Sequence, residues 1–191
     1  MIELIERYLE KVFISDKHRL EHIQNVKKVA LELADIHQVD KNKVIIAALL
    51  HDATKTLSFK ENSAMVKDCF EKEEIRSVPR SCLHAYSAYV LAKTEFGIED
   101  IDILNAIKHH CAGRPNMSQL EKIIFVSDFI EEGRSFVDER VNELAKTDLT
   151  KATYEIMLLT REYLIKNNRN VAKSTETAIE EYGKELEEIN D

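Results

Sequence analysis

The sequence predicts an all-α protein, and three observations predict it. Glycine and proline number only 4 and 2 in 191 residues, where average usage gives about 13 and about 10. A β-sandwich or barrel needs such residues at turn after turn. Apolar residues recur at helical spacing along most of the chain. Two capping boxes, Ser58 with Glu61 and Ser118 with Glu121, mark helix starts.

Each element follows from local pattern. A short first helix ends near Phe13. Ile23, Val26, Val29, Ala30 and Leu33 form an i, i+3, i+4 stripe through a long second helix. Val44 to Leu50 is apolar on nearly every side, so this helix, opened by Asp40, belongs in the centre of the core. Ser58 starts the next, Pro79 ends a segment, and a helix runs from about Ser81 through Phe96 until Gly97 stops it. Asp102 to about Cys111 is helical and closes on Gly113-Arg114-Pro115-Asn116. Leu120–Glu132 ends at Gly133; Val137–Lys146, Leu149–Lys166 and Thr175–Ile189 complete the set. With no repeat, low-complexity tract or linker, the expectation is one domain over residues 1–191, its core at about 16–170.

Composition also limits function. The chain is 44% hydrophobic, ample for a core, and has no G-x-G-x-x-G or Walker-type loop. A net charge of −8 repels polyanions, which argues against nucleic acid or an anionic membrane as partner. A phosphorylated substrate therefore has to be met by a metal or a small cationic cluster. Cys69, Cys82 and Cys111 are odd in number and lack C-x-x-C spacing, which disfavours a disulfide scaffold or zinc knuckle. No signal pattern or membrane-length apolar run is evident, so a cytoplasmic location is expected.

Chemistry concentrates in a few histidines and aspartates. His51-Asp52 closes the most apolar helix. Neighbours on a helix point about 100° apart, so both reach one ion only at a helix end. Alternatively, His51 caps that helix and Asp52 caps the next segment. His22 lies beside the apolar stripe of the second helix, as a ligand or as a structural histidine at the core edge. Asp128 sits among Ile123, Ile124, Phe125, Val126, Phe129 and Ile130. A carboxylate so placed needs a cation, either a basic side chain or a metal held with histidines. Of the neighbours His109 and His110, only His110 aligns with the buried face of Ile103, Ala106 and Ile107.

The order histidine, His-Asp, distal aspartate resembles the HD superfamily of metal-dependent phosphohydrolases. More closely, the chain is similar to the YqeK family, the bacterial symmetrical diadenosine tetraphosphate hydrolases. The match runs through Arg19-x-x-His22, His51-Asp52-x-x-Lys55, His84 with Ala88, and Phe96-Gly97-Ile98. It continues through Asp102-Ile103-Leu104-x-Ala106-Ile107, His110-Cys111-Ala112-Gly113-Arg114 and Met117-x-x-Leu120-Glu121-Lys122, and closes on Val126-Ser127-Asp128-x-Ile130-Glu131-x-x-Arg134. Ser87 stands where the family has glycine, Cys111 where it has threonine, Ser127 for alanine and Glu132 for proline. After Asn168 only fragments of the family pattern persist.

The resemblance implies a helical bundle of the HD type. It also implies His22, His51, Asp52 and Asp128 as primary metal ligands, with His84 and His110 completing a second site bridged by Asp52 or touching phosphate. One or two divalent transition metals per chain are expected, iron(II) first, with manganese or another divalent ion as alternatives. The reaction implied is symmetrical hydrolysis of diadenosine tetraphosphate to two ADP, by metal-activated water attacking the β-phosphorus. Asp52 and Lys55 are the catalytic candidates. Thr54, Lys55, His84, His110, Arg114 and Arg134 are the substrate-binding ones, and Cys111 is a pocket wall without catalytic part. A small nucleotide is the expected partner, and a homodimer is compatible with it. Two other readings stay open: a different HD phosphohydrolase acting on nucleoside monophosphates or cyclic nucleotides, and a non-catalytic nucleotide-binding HD module.

Overall fold

The structure is a computed structural model and describes residues 1–133 and 139–190. The described residues form helices and turns with no β-strand. In chain order the helices are α1 (Ile2–Val12), α2 (Lys17–His37), α3 (Lys41–Leu50), α4 (Phe59–Val66), α5 (Lys72–Ser77), α6 (Leu83–Thr94), α7 (Ile101–His109), α8 (Gln119–Ile130), α9 (Glu139–Thr147), α10 (Leu149–Lys166) and α11 (Lys173–Asn190). A 3₁₀ turn, Arg80–Cys82, precedes α6.

Local chemistry sets the boundaries. Asp16, Asp40, Asp100 and Asp148 cap α2, α3, α7 and α10 by accepting from backbone N–H groups. Both capping boxes form, at Ser58–Glu61 and Ser118–Glu121. The helix expected to run from about Ser81 through Phe96 is shorter. Its last regular residue is Thr94, and Ile98 N–H returns to the Ala92 carbonyl around Gly97, whose φ is +62°. This left-handed closure turns Phe96 inward, where it is buried. Likewise α8 stops at Ile130 rather than Glu132, because Glu131 is extended at ψ 151°. The start expected at Val137 for α9 lies outside the described residues.

Helix α3 is the centre, as its all-round apolarity requires. Val44, Ala47, Ala48, Leu49 and Leu50 are fully buried, and α3 packs on α1, α2, α7 and α8. From the α2 stripe, Ile23, Val26, Ala30 and Leu33 are buried and Val29 is partly so. Helix α6 packs on α4 and α7, and α10 lies between α8, α9 and α11. Helix α11 ties down the loop after α7: Thr175 Oγ1 donates to the Ala112 carbonyl and Met117 N–H to the Tyr182 hydroxyl. Gly113 in that loop has φ +67°, and a Cβ there would run into Met157. Five helices thus bring α2, the C-terminal ends of α3 and α7, the start of α6 and the end of α8 to one place.

Candidate metal centre

At the end of α3 the hydrogen bonding relaxes from i→i+4 to i→i+3. His51 N–H still reaches Ala47, but Ala53 reaches Leu50 and Lys55 reaches Asp52. This tightening lets the consecutive side chains of His51 and Asp52 face one point. His22 arrives from α2, Asp128 from α8, His84 from α6 and His110 from the end of α7. His22, His51, Asp52, His84 and His110 are all buried, and Asp128 is 18% exposed at the rim.

The donors sort into two sets around Asp52. On one side, His22 Nε2 lies 3.4 Å from His51 Nε2, 3.3 Å from Asp128 Oδ1 and 3.5 Å from Asp52 Oδ2. On the other, Asp52 Oδ1 lies 3.0 Å from His84 Nε2 and 3.4 Å from His110 Nε2, and those nitrogens are 3.3 Å apart. The arrangement therefore brings together all six residues expected as ligands.

The outer nitrogens decide what the inner ones offer. His51 Nδ1 is 2.6 Å from the Ala48 carbonyl and His110 Nδ1 is 2.8 Å from the Ile107 carbonyl. A carbonyl can only accept, so each Nδ1 carries the proton and, in the neutral ring, each Nε2 presents a lone pair. His22 Nδ1 is similarly 3.3 Å from Glu131 Oε1. This is how ligating histidines are held and made more basic.

Electrostatics point the same way. Burial pushes His51 down to about 3, so at neutral pH it is a lone-pair donor. Burial also disfavours charge on His22, but Asp128 and Asp52 outweigh it and raise that ring to about 9. Burial opposes the Asp52 carboxylate too, yet its electrostatic coupling to the His51 ring and the hydrogen bonds of His110, His22 and His84 hold it well below the carboxylate range. Asp52 Oδ1 nonetheless accepts no hydrogen bond of good geometry. A buried anionic oxygen without such a bond, facing two imidazole nitrogens, is a place for a cation. Nitrogen and carboxylate donors of this kind suit a borderline divalent transition metal, so the residues fit the ion that the sequence implies.

The remaining candidates divide. Lys55 belongs to the centre: its Nζ is 3.0 Å from His84 Nε2 and 3.5 Å from Asp52 Oδ1. Burial works against its charge, but Asp52 wins and holds its ammonium above the ordinary value. Thr54 lies behind the centre rather than at its surface. Its buried hydroxyl donates to the His84 carbonyl at 2.7 Å and sits 2.9 Å from Ser87 Oγ. Ser87 also donates to Asn62 Oδ1. The hydroxyl thus supports the turn and α6 and is not presented to a substrate. Arg114 is likewise committed elsewhere, in a bidentate pair with buried Glu121, 2.8 Å at both contacts. That fork closes the start of α8. Arg134 lies outside the described residues. His110 faces the centre, while His109 lines a separate cleft with Tyr86 and Lys108.

Two site residues, Arg19 and Glu131, were given no role from the sequence, and a third, Cys111, only that of a pocket wall. Arg19 Nη1 donates to Asp52 Oδ2 at 2.6 Å. Glu131 orients His22 and accepts from Asn25 Nδ2 and Gly133 N–H. Cys111 Sγ lies 3.5 Å from His84 Nε2. The first two had a signal: Arg19 precedes His22 by three residues on one face of α2, and Glu131 follows Asp128 by three, just past the end of α8. Glu132, in contrast, pairs with Lys28 in solvent.

Two shallow clefts open beside the centre and share Pro79, Cys82, Ala112 and Ala172. Cys111 lines the first.

Comparison with known proteins gives concordant results. Residues 19–133 match the HD domain family model. A protein of Halalkalibacterium halodurans named bis(5'-nucleosyl)-tetraphosphatase, symmetrical, is 37% identical over 83% of this chain and 86% of its own length. One of the same name from Bacillus subtilis is 37% identical with the same coverage. A crystal structure from Clostridium acetobutylicum, described as a predicted HD superfamily hydrolase involved in NAD metabolism, is 33% identical. It superposes with a TM-score of 0.89 over 97% of this chain and 98% of that one.

Proposed function

The chain belongs to the HD domain family, among the symmetrical bis(5'-nucleosyl)-tetraphosphatases, and from that premise we propose that it splits diadenosine tetraphosphate into two ADP. The observation that carries the reading is the divided Asp52 carboxylate, with Oδ2 toward His22 and His51 and Oδ1 toward His84 and His110. Four histidines, Asp52 and Asp128 would hold one or two divalent ions, iron(II) foremost, with manganese or another divalent ion as alternatives. Such ions supply Lewis-acid charge for phosphoryl oxygens and a water acidified toward neutral pH.

The chain's own residues supply the rest. Lys55, 34% exposed at the mouth of the centre, offers its ammonium to the non-bridging oxygens of the attacked phosphate. Arg19 holds Asp52 in place through Oδ2 and adds a second positive charge nearby. Attack of water on the β-phosphorus of one ADP half breaks its bond to the oxygen bridging to the other half. The leaving ADP ends in a phosphate whose second pKa is about 6, so it departs without an acid residue. The net charge of −8 supports a small nucleotide over nucleic acid as partner. No helix among the described residues is long and apolar enough to cross a membrane, and the nucleotide substrate supports a cytoplasmic place.

The test is metal analysis of anaerobically purified protein, then turnover of diadenosine tetraphosphate in ¹⁸O-labelled water. ADP alone should form, with label in its terminal phosphate. AMP plus ATP would overturn the symmetrical reaction. Metal-loaded protein inert on dinucleoside polyphosphates, nucleoside monophosphates and cyclic nucleotides would overturn the enzyme reading.

A further inference from the structure

Helix α7 ends as α3 does, with two consecutive side chains turned toward one point. After His110 the chain closes through Gly113 N–H to the His109 carbonyl, with Gly113 at φ +67°. The closure presents Cys111 beside His110, and the Nε2 atoms of His84 and His110 and the Cys111 sulfur all lie within 4.8 Å of one another.

The two edges of this donor group that meet at His84 have the lengths of a coordination polyhedron. Metal–nitrogen bonds of about 2.05 Å and metal–sulfur bonds of about 2.3 Å at tetrahedral angles require N···N and N···S separations of about 3.3 and about 3.6 Å. His84 Nε2 is 3.3 Å from His110 Nε2 and 3.5 Å from Cys111 Sγ. The fourth corner is the 2% exposed Asp52, whose Oδ1 lies 3.0 Å from His84 Nε2 and makes no hydrogen bond of good geometry. A threonine hydroxyl at position 111 would be a neutral, weak donor.

We propose that Cys111 is a metal ligand: a thiolate that completes the second site with His84, His110 and Asp52 Oδ1 and turns it toward zinc, cobalt(II) and iron(II) rather than manganese or magnesium. When the metal–sulfur bond forms, the thiol S–H proton leaves to solvent, so binding at this site releases one proton more than a threonine in its place would allow. A soft sulfur donor raises affinity for borderline ions and does little for hard ones. The inference rests on the metal-binding reading above, and the experiment separates the two.

The probe is cobalt(II), titrated anaerobically into chelator-treated protein and followed by absorbance. Two equivalents should bind the wild type and give a thiolate-to-cobalt charge-transfer band in the near ultraviolet. Cys111→Ser and Cys111→Thr should lose the band while keeping the visible ligand-field bands of the first site. Cys82→Ser, which removes the neighbouring thiol, should keep it. Competition with zinc should show the second site of Cys111→Thr weakened at least about 10-fold, with manganese affinity little changed. Two bound cobalt ions without the band, or a band that survives in Cys111→Ser or vanishes in Cys82→Ser, would overturn the thiolate ligand alone. A wild type that binds no cobalt would overturn the metal-binding reading and this inference with it.

Discussion

Asp52→Asn keeps the shape of the side chain and removes its charge. Asp52 is 2% exposed and faces Arg19 at 2.6 Å, Lys55 at 3.5 Å and the histidines of both donor sets. Without the carboxylate these groups confront one another unpaired. Breaking a buried ion pair by removing one partner costs about 3–5 kcal/mol. Arg19 and Lys55 are 26% and 34% exposed, so water compensates part of their loss and the lower end, about 3 kcal/mol, applies. In a chain of this length 1 kcal/mol shifts Tm by about 2–4 °C, which predicts a metal-free variant melting roughly 6–12 °C below the wild type. With metal, the same change removes a ligand from each donor set and should weaken each ion by at least about 10–100-fold. Differential scanning calorimetry of chelator-treated protein and a metal titration measure the two effects. A metal-free variant melting within about 2 °C of wild type would refute the electrostatic reasoning. Retention of two ions at wild-type affinity would refute the bridging role.

Four further outcomes are expected. Glu131→Gln leaves the fold in place but weakens the carboxylate that orients His22; metal affinity at the first site should fall about 10-fold, as competition with a chromophoric chelator would read. Ser127 is fully buried and its hydroxyl has no hydrogen-bond partner among the described residues, so Ser127→Ala should raise stability by about 1 kcal/mol in denaturant melts, and a destabilised variant would contradict this. His110→Ala should lose the second metal ion and at least about 10-fold in turnover, while His109→Ala keeps the ion and loses only a few-fold in turnover; the reverse ranking would mean the centre is misassigned. In metal-free protein the His22 ring, raised to about 9, is protonated below that value, and a metal must displace the proton. First-site affinity should therefore fall as pH drops below about 9, by about tenfold per unit for one displaced proton, and a flat isothermal-titration profile from pH 8 to 6, on the order of one unit either side of 7, would count against His22 as a ligand.

Most of the secondary structure is legible in the sequence because its causes are local. Asp40, Ser58, Ser118 and Gly97 act on backbone groups within a few residues, and the apolar stripe of α2 and the wholly apolar α3 settle which surfaces are buried. The choice of His110 over His109 is legible for the same reason, since it needs only helical phase. The gathering of His22, His51, Asp52 and Asp128 is expected from the resemblance. The directions of polar side chains are not. Thr54 looks available for phosphate until α6 brings the His84 carbonyl and Ser87 to its hydroxyl, and Arg114 looks available until it meets Glu121 across a turn.

Sequence alone thus determines an all-α chain with its histidines and aspartates at helix ends and on buried faces. Only the tertiary structure decides that Asp52 has two different faces, that Arg19 and Glu131 belong to the centre, and that Cys111 stands at coordination distance from His84. Helix formation depends on residues three or four apart, whereas the donors and the groups that orient them come from side chains up to 109 positions apart. Its shape is a matter of ångströms set by how five helices pack, and no local pattern encodes that.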